Sequence, residues 1–218
     1  EYLGGVLKLC QDRRGVQLEL ALARLRSLRP GLRSWGLSAT LANLDEAADA
    51  LTGGAGARSI RGLVPAETEI KALVPDTIER FPWAGHLGTR LVEPVIAALE
   101  AAETTLLFTN TRSQAELWHQ ALLRARPDWL EQIALHHGSL DRDLRDQVEA
   151  MIADGRLRCV VATSSLDLGV DFSPVDRVVQ VGSPKGVARL MQRAGRSGHR
   201  PGADSEILCV PSHAFELV

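Results

Sequence analysis

Residues 104–126, TTLLFTNTRSQAELWHQALLRAR, change character halfway along. The run at 104–109 has the composition of a buried strand, and residues 113–126 follow a helical period. The alternation recurs further along the chain, with strands predicted at 133–136, 158–163, 177–181 and 206–210 and helices at 142–153 and 186–193. Apolar strands separated by helices are typical of a parallel sheet that is covered on both faces. The sequence therefore predicts an α/β fold.

The residues before this alternation follow a less regular pattern. A helix is predicted at 15–29, and a second helix opens at Asn43. Short strands are predicted at 33–40, 59–63 and 68–74. Residues 75–88 carry prolines and glycines with little periodicity. We expect a first unit at 1–75, a linker at 76–87 and a second domain at 88–218.

Composition excludes several classes of protein. The chain is 45% hydrophobic and 24% charged, no apolar run is long enough to span a membrane, and residues 1–12 lack the features of a secretory signal. The three cysteines show no CxxC spacing, which favours free thiols. The net charge of −2 argues against general polyanion binding, yet residues 177–203 contain six Lys or Arg and no Asp or Glu. This local basic stretch indicates a site.

Polar clusters follow four of the predicted strands. They are 109-TNTRSQAE-116, 136-HHGSLDR-142, 163-TSSLDLGVDF-172 and 182-GSPKG-186. Ligands of open parallel sheets bind beyond the carboxyl ends of the strands, so four clusters at one edge indicate a binding site. His136 and His137 lack a supporting cluster of acids or cysteines, and we expect them to be structural and to bind no metal.

The stretch 192-QRAGRSGHR-200 is rich in arginine. Arg189, Arg193, Arg196 and Arg200 are spaced so that a continuing helix would present them on one face. Guanidinium groups bind phosphate through two hydrogen bonds at once, and the glycines between them allow a close approach. The alternative is a solvated basic helix end.

The order of these motifs resembles that of superfamily 2 helicases. The motifs are SAT (38–40), FTNTR (108–112), HHGS (136–139), ATSSLDLGVDF (162–172), VGSPK (181–185) and QRAGRSGHR (192–200). More narrowly, the chain resembles the large helicase-related (Lhr) family of DExH DNA helicases. RRGVQLELALARLRSLRP and WGLSATLANLDEA are similar to its ligase-associated, bacterial DNA-repair branch.

The resemblance implies two RecA-like domains that close on ATP and Mg²⁺, with DNA lying across both. Residues 88–218 would be the second domain, preceded by a partial first domain. The arginine that reaches the triphosphate would be Arg196, with Arg193 and Arg200 left as alternatives because His199 departs from the DEAD-box pattern. The resemblance assigns three further groups of residues: nucleotide contacts at Gly169, Asp171 and Gln192; DNA contacts at Thr109, Asn110, Arg112, Gly138, Thr163 and Ser164; and coupling of hydrolysis to movement at Ser38 and Thr40.

The sequence lacks two parts of a complete helicase. It has no Gly-Lys pair, hence no loop that cradles phosphates, and no DExH box precedes 13-RRGVQ-17. We therefore expect a truncated first domain and a chain that is inactive in isolation. One hypothesis is a portion of a bacterial, cytoplasmic DNA helicase, with DNA, a DNA ligase and other repair proteins as partners and no membrane. The alternative is a non-catalytic homologue that binds nucleic acid or a partner. An unrelated nucleotide-binding protein would need a glycine-rich loop after its first strand, which is absent.

Overall fold

The computed structural model describes residues 13–37, 44–54, 56–60, 68–74, 91–167, 175–197, 205–213 and 216. The chain divides into two compact units, Glu1–Val64 and Pro65–Val218. The helices are α1 (Arg13–Leu28), α2 (Leu44–Thr52), α3 (Val92–Glu100), α4 (Arg112–Ala125), α5 (Arg142–Ala153) and α6 (Val187–Ala194). The strands are β1 (Thr68–Ala72), β2 (Thr105–Phe108), β3 (Ile133–His136), β4 (Cys159–Ala162), β5 (Arg177–Val181) and β6 (Ser205–Val210).

The second unit is built on one six-stranded sheet, in the order β1-β6-β5-β2-β4-β3. All five strand pairings are parallel. The central strands have no solvent-exposed face, because β2 and β4 are buried along their whole length. This explains why their sequences are continuous apolar runs, and it confirms the predicted parallel α/β sheet.

Alternate residues of the strands divide the core into two layers. Leu107, Val161 and Val179 pack on one face with residues of α3 and α4, among them Leu99 and Trp118. On the other face, side chains of the same three strands pack with residues of α5 and α6; this set includes Leu106, Phe108, Val160, Val178, Ile152 and Ala194. Both faces are therefore covered by helices, as the sequence predicts.

The first unit contains α1 and α2 among its described residues. The guanidinium of Arg26 donates hydrogen bonds from α1 to the carbonyls of Ala50, at 3.2 Å, and of Leu51 in α2. The strands predicted at 33–40 and 59–63 are wrong where they can be compared, because residues 33–37 and 59–60 have no regular structure. Large apolar side chains in these two segments are not buried: Trp35 is 81% exposed and Ile60 is 76% exposed. The remaining residues of both predictions lie outside the described ranges.

The strand predicted at 68–74 forms as β1, but it pairs with β6 of the second unit. The predicted boundary at 75 follows this strand, whereas the compact units divide between Val64 and Pro65. Lys71 of β1 reaches across the pair to Glu206 of β6, with Nζ and Oε2 2.8 Å apart. In the part of the chain that the structure describes, no helix is long and apolar enough to cross a bilayer.

Candidate nucleotide and nucleic-acid site

The described residues of the four polar clusters lie at one edge of the sheet, because β2, β3, β4 and β5 are parallel and their carboxyl ends come together. Phe108, the last residue of β2, stands in register with Ala162 of β4 and Gln180 of β5. His136, the last residue of β3, also faces Ala162. The sequence prediction of a shared edge is therefore confirmed.

The cluster after β2 combines buried and exposed groups. Thr109 is fully buried, and its amide donates a hydrogen bond to the carbonyl of Ala162, at 2.8 Å. The amide group of Asn110 donates to the carbonyl of Ser183 after β5, at 2.9 Å. Arg112 begins α4 with a side chain that is 59% exposed. Its Nε lies 3.4 Å from Oε1 of Glu116, one helical turn further on, so the charge of Arg112 is at the surface beside an exposed carboxylate.

Two features keep this edge compact. Thr111 caps α4, since its hydroxyl accepts a hydrogen bond from the amide of Gln114, at 3.2 Å. Gly182 has a φ of +71°, and a Cβ at this position would lie 3.2 Å from the side-chain nitrogen of Asn110. A larger residue would be strained and crowded there, so glycine lets the turns after β2 and β5 meet.

The cluster after β3 exposes backbone. Apart from the chain neighbours of Gly138, no atom of the described residues lies within 4 Å of the place where a Cβ of this glycine would stand. His137 before it is buried, and its Nδ1 accepts a hydrogen bond from the amide of Ser139, at 3.3 Å. The main chain at Gly138 is thus held by a turn and accessible to a ligand.

The cluster after β4 presents hydroxyl groups. The amide of Thr163 donates to the carbonyl of His136, at 3.2 Å, and a 3-10 turn follows at Ser164–Leu166. Ser164 is exposed and Thr163 is half-buried. Hydroxyl groups of this kind bind phosphates without reading a base sequence.

The arginine-rich segment does not form one continuous helix. Helix α6 ends at Ala194, and Arg196 lies in the turn that follows. Gly195 ends the helix as its C-cap, so the 4-3-4 spacing of the arginines does not place them on a single helical face. Arg189, Arg193 and Arg196 nevertheless converge, because all three contact Asp167.

Arg193 is buried and has several polar partners. Its Nε lies 2.8 Å from Oδ1 of Asp167, and its terminal nitrogens donate to Oδ2 of Asp167 and to Oε1 of Gln180. The guanidinium carbon also lies 4.5 Å from the ring centroid of Phe108. Only 1% of the Arg193 side chain is exposed. This guanidinium therefore has a structural role, because it links α6 to the loop after β4 and to β5.

The backbone carbonyl of Asp167 binds two more predicted site residues. Gln192 donates from Nε2 at 3.0 Å and Arg196 donates from a terminal nitrogen at 2.9 Å. Arg189 adds an ion pair, with its Nε 3.5 Å from Oδ2 of Asp167. One acidic residue thus gathers Arg189, Gln192, Arg193 and Arg196 beside the loop that carries Thr163 and Ser164.

Sequence reasoning missed the roles of Asp167 and Gln180. Both are polar residues in buried surroundings: Gln180 is the one amide in the apolar strand RVVQV, and Asp167 interrupts a run of hydroxyl and apolar residues. A polar group among apolar residues needs a partner when it is buried, which is the signal that could have found this pair.

Five predicted site residues lie outside the described ranges: Ser38, Thr40, Gly169, Asp171 and Arg200. In the described ranges, no three His, Cys, Asp or Glu side chains lie together in a group that could hold a metal ion. The cysteine thiols that the structure describes are buried or half-buried, and burial raises the pKa of Cys159 to about 12. The guanidinium groups at this edge are of the kind that binds phosphate.

Comparisons with known proteins identify the family of this sheet. Residues 90–201 match the family model of the helicase conserved C-terminal domain. The chain is 40% identical over 200 residues to the ATP-dependent helicase Lhr-Core protein 2 of Thermococcus barophilus, covering 88% of this chain and 23% of that protein. It is 36% identical over 208 residues to the Lhr-Core helicase of Methanocaldococcus jannaschii, covering 95% of this chain and 24% of the relative. The chain thus spans about a quarter of the length of these relatives.

A solved structure is similar over nearly the whole chain. The structure of Mycobacterium smegmatis helicase Lhr bound to ssDNA and AMP-PNP superposes with a TM-score of 0.80 and 34% identity, covering 94% of this chain and 27% of that one. This confirms the RecA-like form of the sheet that the motifs predict. The chain belongs to the helicase C-terminal domain family, and within superfamily 2 it is a member of the Lhr-like ATP-dependent helicases.

Proposed function

We propose that this chain is a portion of an ATP-dependent DNA helicase of the ligase-associated branch, which couples ATP hydrolysis to movement along DNA, or its unwinding, during repair. Residues 88–218 supply the second RecA-like domain, residues 76–87 are the linker, and residues 1–75 belong to the first domain in sequence, with β1 as the segment of them that joins the sheet of the second unit. The partners proposed for this helicase are DNA, a DNA ligase and other repair proteins, and its proposed location is the bacterial cytoplasm. The similar helicase from Mycobacterium smegmatis was solved with ssDNA and AMP-PNP, which supports DNA and ATP as the ligands proposed here.

The observation that carries the proposal is the convergence at Asp167. This residue contacts Arg193 and Arg196 on one side, and four residues earlier the same loop presents Thr163 after β4. A nucleotide-binding group and a strand-binding group are therefore neighbours at one edge of the sheet. That arrangement suits an enzyme in which phosphate hydrolysis and the grip on a nucleic acid depend on each other.

Arg196 is the residue that we assign to the triphosphate. Phosphoryl transfer depends on positioning and on stabilising charge, and an arginine supplied across a cleft provides the charge. Arg193 is a poor candidate because its guanidinium is buried against Asp167, Gln180 and Phe108. Arg196 is partly buried in a turn, and its guanidinium donates a hydrogen bond to the backbone carbonyl of Asp167, whose place as acceptor a phosphate could take. Arg200 remains the alternative, outside the described residues.

The nucleotide and its metal are assigned as follows. Gln192 beside Arg196, together with Gly169 and Asp171, would hold ATP from the second domain. Mg²⁺ bound to ATP would neutralise charge on the phosphates, and its protein ligands are assigned to the first domain. Ser38 and Thr40 of that domain would couple hydrolysis to movement of the strand.

The DNA track is assigned to the groups after β2, β3 and β4. Asn110, Arg112, Gly138, Thr163 and Ser164 offer an amide, a cation, open backbone and hydroxyls, with Thr109 holding their base. Such groups contact phosphates and sugars of a single strand and carry no sequence information. With aromatic residues only 4% of the chain, we propose that the track follows the backbone more than it stacks bases.

The test is hydrolysis of ATP by the 218-residue chain, with and without single-stranded DNA, beside Arg196→Ala. Binding of the same DNA is measured in parallel by fluorescence anisotropy. DNA-stimulated hydrolysis that Arg196→Ala abolishes would support the enzyme directly and would refute the expectation that the chain is inactive alone. DNA binding without hydrolysis fits a helicase portion or the non-catalytic alternative, and joining the chain to a helicase ATP-binding domain then separates these. Absence of DNA binding would contradict the DNA helicase and would leave the alternative only as a non-catalytic homologue that binds a partner.

A further inference from the structure

His136, the last residue of β3, is a buried histidine with partners on both ring nitrogens. Its side chain is 1% exposed. The Nδ1 atom lies 2.7 Å from Oγ of Ser165, in the turn after β4. The Nε2 atom lies 3.1 Å from Oε1 of Glu149, in α5. The ring therefore connects the end of one strand, the loop after the next strand and a helix on the face of the sheet.

The carboxylate of Glu149 decides which ring nitrogen of His136 carries the proton. Glu149 can only accept a hydrogen bond when it is ionised, so the neutral ring carries its proton on Nε2 and donates it to Oε1. Nδ1 is then an acceptor, and the one hydroxyl proton of Ser165 is shared between Nδ1, at 2.7 Å, and the backbone carbonyl of His136, at 3.0 Å. The opposite tautomer would set the lone pair of Nε2 against the carboxylate. Glu149 thus fixes the direction of both hydrogen bonds.

The same loop is also bound to the backbone of His136. The amide of Thr163 donates to its carbonyl at 3.2 Å, and the hydroxyl of Ser165 donates to the same carbonyl at 3.0 Å. Three hydroxyl residues stand in a row here, and the structure separates them. Ser165 is directed to β3, whereas Ser164 is exposed and Thr163 is half-buried.

We propose that Ser165, His136 and Glu149 are positioning residues that hold the 163–165 loop in the conformation in which Thr163 and Ser164 grip the phosphates of a single strand. This inference rests on the proposed function, because it assumes that the loop contacts DNA. The three residues themselves do not touch the strand. They act by fixing the loop before DNA arrives, which lowers the ordering cost of binding.

The first test compares Ser165→Ala with Thr104→Val in the 218-residue chain. Each change removes one hydroxyl that is bound within the fold, but Thr104 donates to the carbonyl of Leu157 at the opposite edge of the sheet, at 3.0 Å. We expect Ser165→Ala to weaken binding of an oligo-dT probe by about three- to tenfold, the value of one hydrogen bond. Thr104→Val should lower the stability of the fold about as much as Ser165→Ala does, but it should leave the affinity for the probe unchanged.

Two readouts separate positioning from general stability. Histidine ring ¹H–¹⁵N spectra should show His136 with its proton on Nε2 in the parent chain, and Glu149→Gln should weaken that preference. His136→Asn keeps an acceptor close to the place of Nδ1, so it should bind oligo-dT more tightly than His136→Leu. Both variants lose the contact with Glu149, which makes them a matched pair.

The outcomes distinguish this inference from the function on which it rests. If the parent chain binds oligo-dT and Ser165→Ala binds equally well, the positioning role is refuted and the proposed function stands. The same holds if Thr104→Val weakens binding as much as Ser165→Ala does, because the effect is then one of stability. If the parent chain does not bind oligo-dT, the DNA track and the positioning role fail together.

Discussion

The Nε atom of Arg193 lies 2.8 Å from Oδ1 of Asp167, and both side chains are almost completely buried, at 1% and 7% exposed. The pair joins α6 to the loop after β4. Removing one partner of such a pair leaves an uncompensated charge inside the protein. This relationship makes the arginine segment part of the core as well as part of the candidate site.

We therefore expect Asp167→Asn to lower the free energy of unfolding by about 3–5 kcal/mol, because the charge of Arg193 loses its counterion. Urea unfolding followed by circular dichroism measures this. Asp146→Asn is the matched control: its carboxylate is 61% exposed and 3.6 Å from Arg142, so its loss should cost less than about 1 kcal/mol. Equal effects of the two changes would contradict a structural role for the buried pair.

Arg112→Ala should weaken binding of single-stranded DNA and make it less sensitive to salt. If Arg112 contacts one phosphate, the slope of log K against log salt concentration should fall in magnitude by about 0.7. Arg124→Ala removes the same charge from the other end of α4, where the side chain is exposed, and should leave the slope unchanged. Anisotropy titrations at several salt concentrations decide this. A slope that is the same in all three proteins would remove Arg112 from the track.

Stability should fall as the pH drops below the ordinary histidine pKa of 6.5, because burial lowers the pKa of His136 in the folded chain. Glu149 raises this pKa and Arg145 lowers it, both from α5, but burial is the largest effect. Below pH 6.5 the unfolded chain binds a proton that the folded chain does not. Stability is therefore lost as the pH falls from 6.5 to the lower pKa of His136 in the folded chain. The pKa of His119 is also lowered by burial, so it contributes in the same direction.

His136→Asn should make the pH dependence of unfolding shallower between pH values just above and well below 6.5, while His119 maintains the remainder. Thermal melts across this range measure the effect. A pH profile that is identical in His136→Asn and in the parent chain would show that His136 takes up its proton as easily in the folded state as in the unfolded state.

Glu206→Gln should destabilise the sheet by about 0.5–1 kcal/mol at neutral pH. Its carboxylate pairs with Lys71 of β1, at 2.8 Å, and with Arg177 of β5, at 3.1 Å. The hydrogen bond from Lys71 is the main reason that the pKa of Glu206 is lowered. The stabilisation is therefore present above the ordinary pKa of 4.5 and is lost as the pH falls through the lower folded value.

Glu69→Gln serves as the control for this prediction. Glu69 also pairs with Lys71, at 3.0 Å, but its side chain is 61% exposed. Exposed ion pairs contribute little, so we expect its effect on unfolding to be smaller than that of Glu206→Gln. Unfolding in high salt should reduce both effects. If Glu69→Gln proved the more damaging change, the cross-strand pairing of Glu206 would not be what stabilises this edge.

Local patterns were sufficient for the regular part of the fold. Strands such as β2 are buried on both faces, which is typical of a parallel sheet covered by helices, and helices such as α4 carry their own period. The same reasoning failed at 33–37 and 59–60, where short apolar runs have no strand partner in the described chain. A strand depends on its neighbour, so its sequence alone cannot guarantee that it forms.

The sequence by itself determined the order of the motifs, the parallel sheet and the edge at which the polar clusters meet, because these follow from period and connectivity along the chain. Only the tertiary structure decided what each polar residue does. The arginine spacing could not show that Arg193 is buried while Arg196 lies in a turn, since that depends on Asp167, 26 residues away from Arg193. Nor could three consecutive hydroxyls reveal that Ser165 binds His136. Partners distant in sequence are brought together by packing, and packing sets which charges and hydroxyls remain for a ligand.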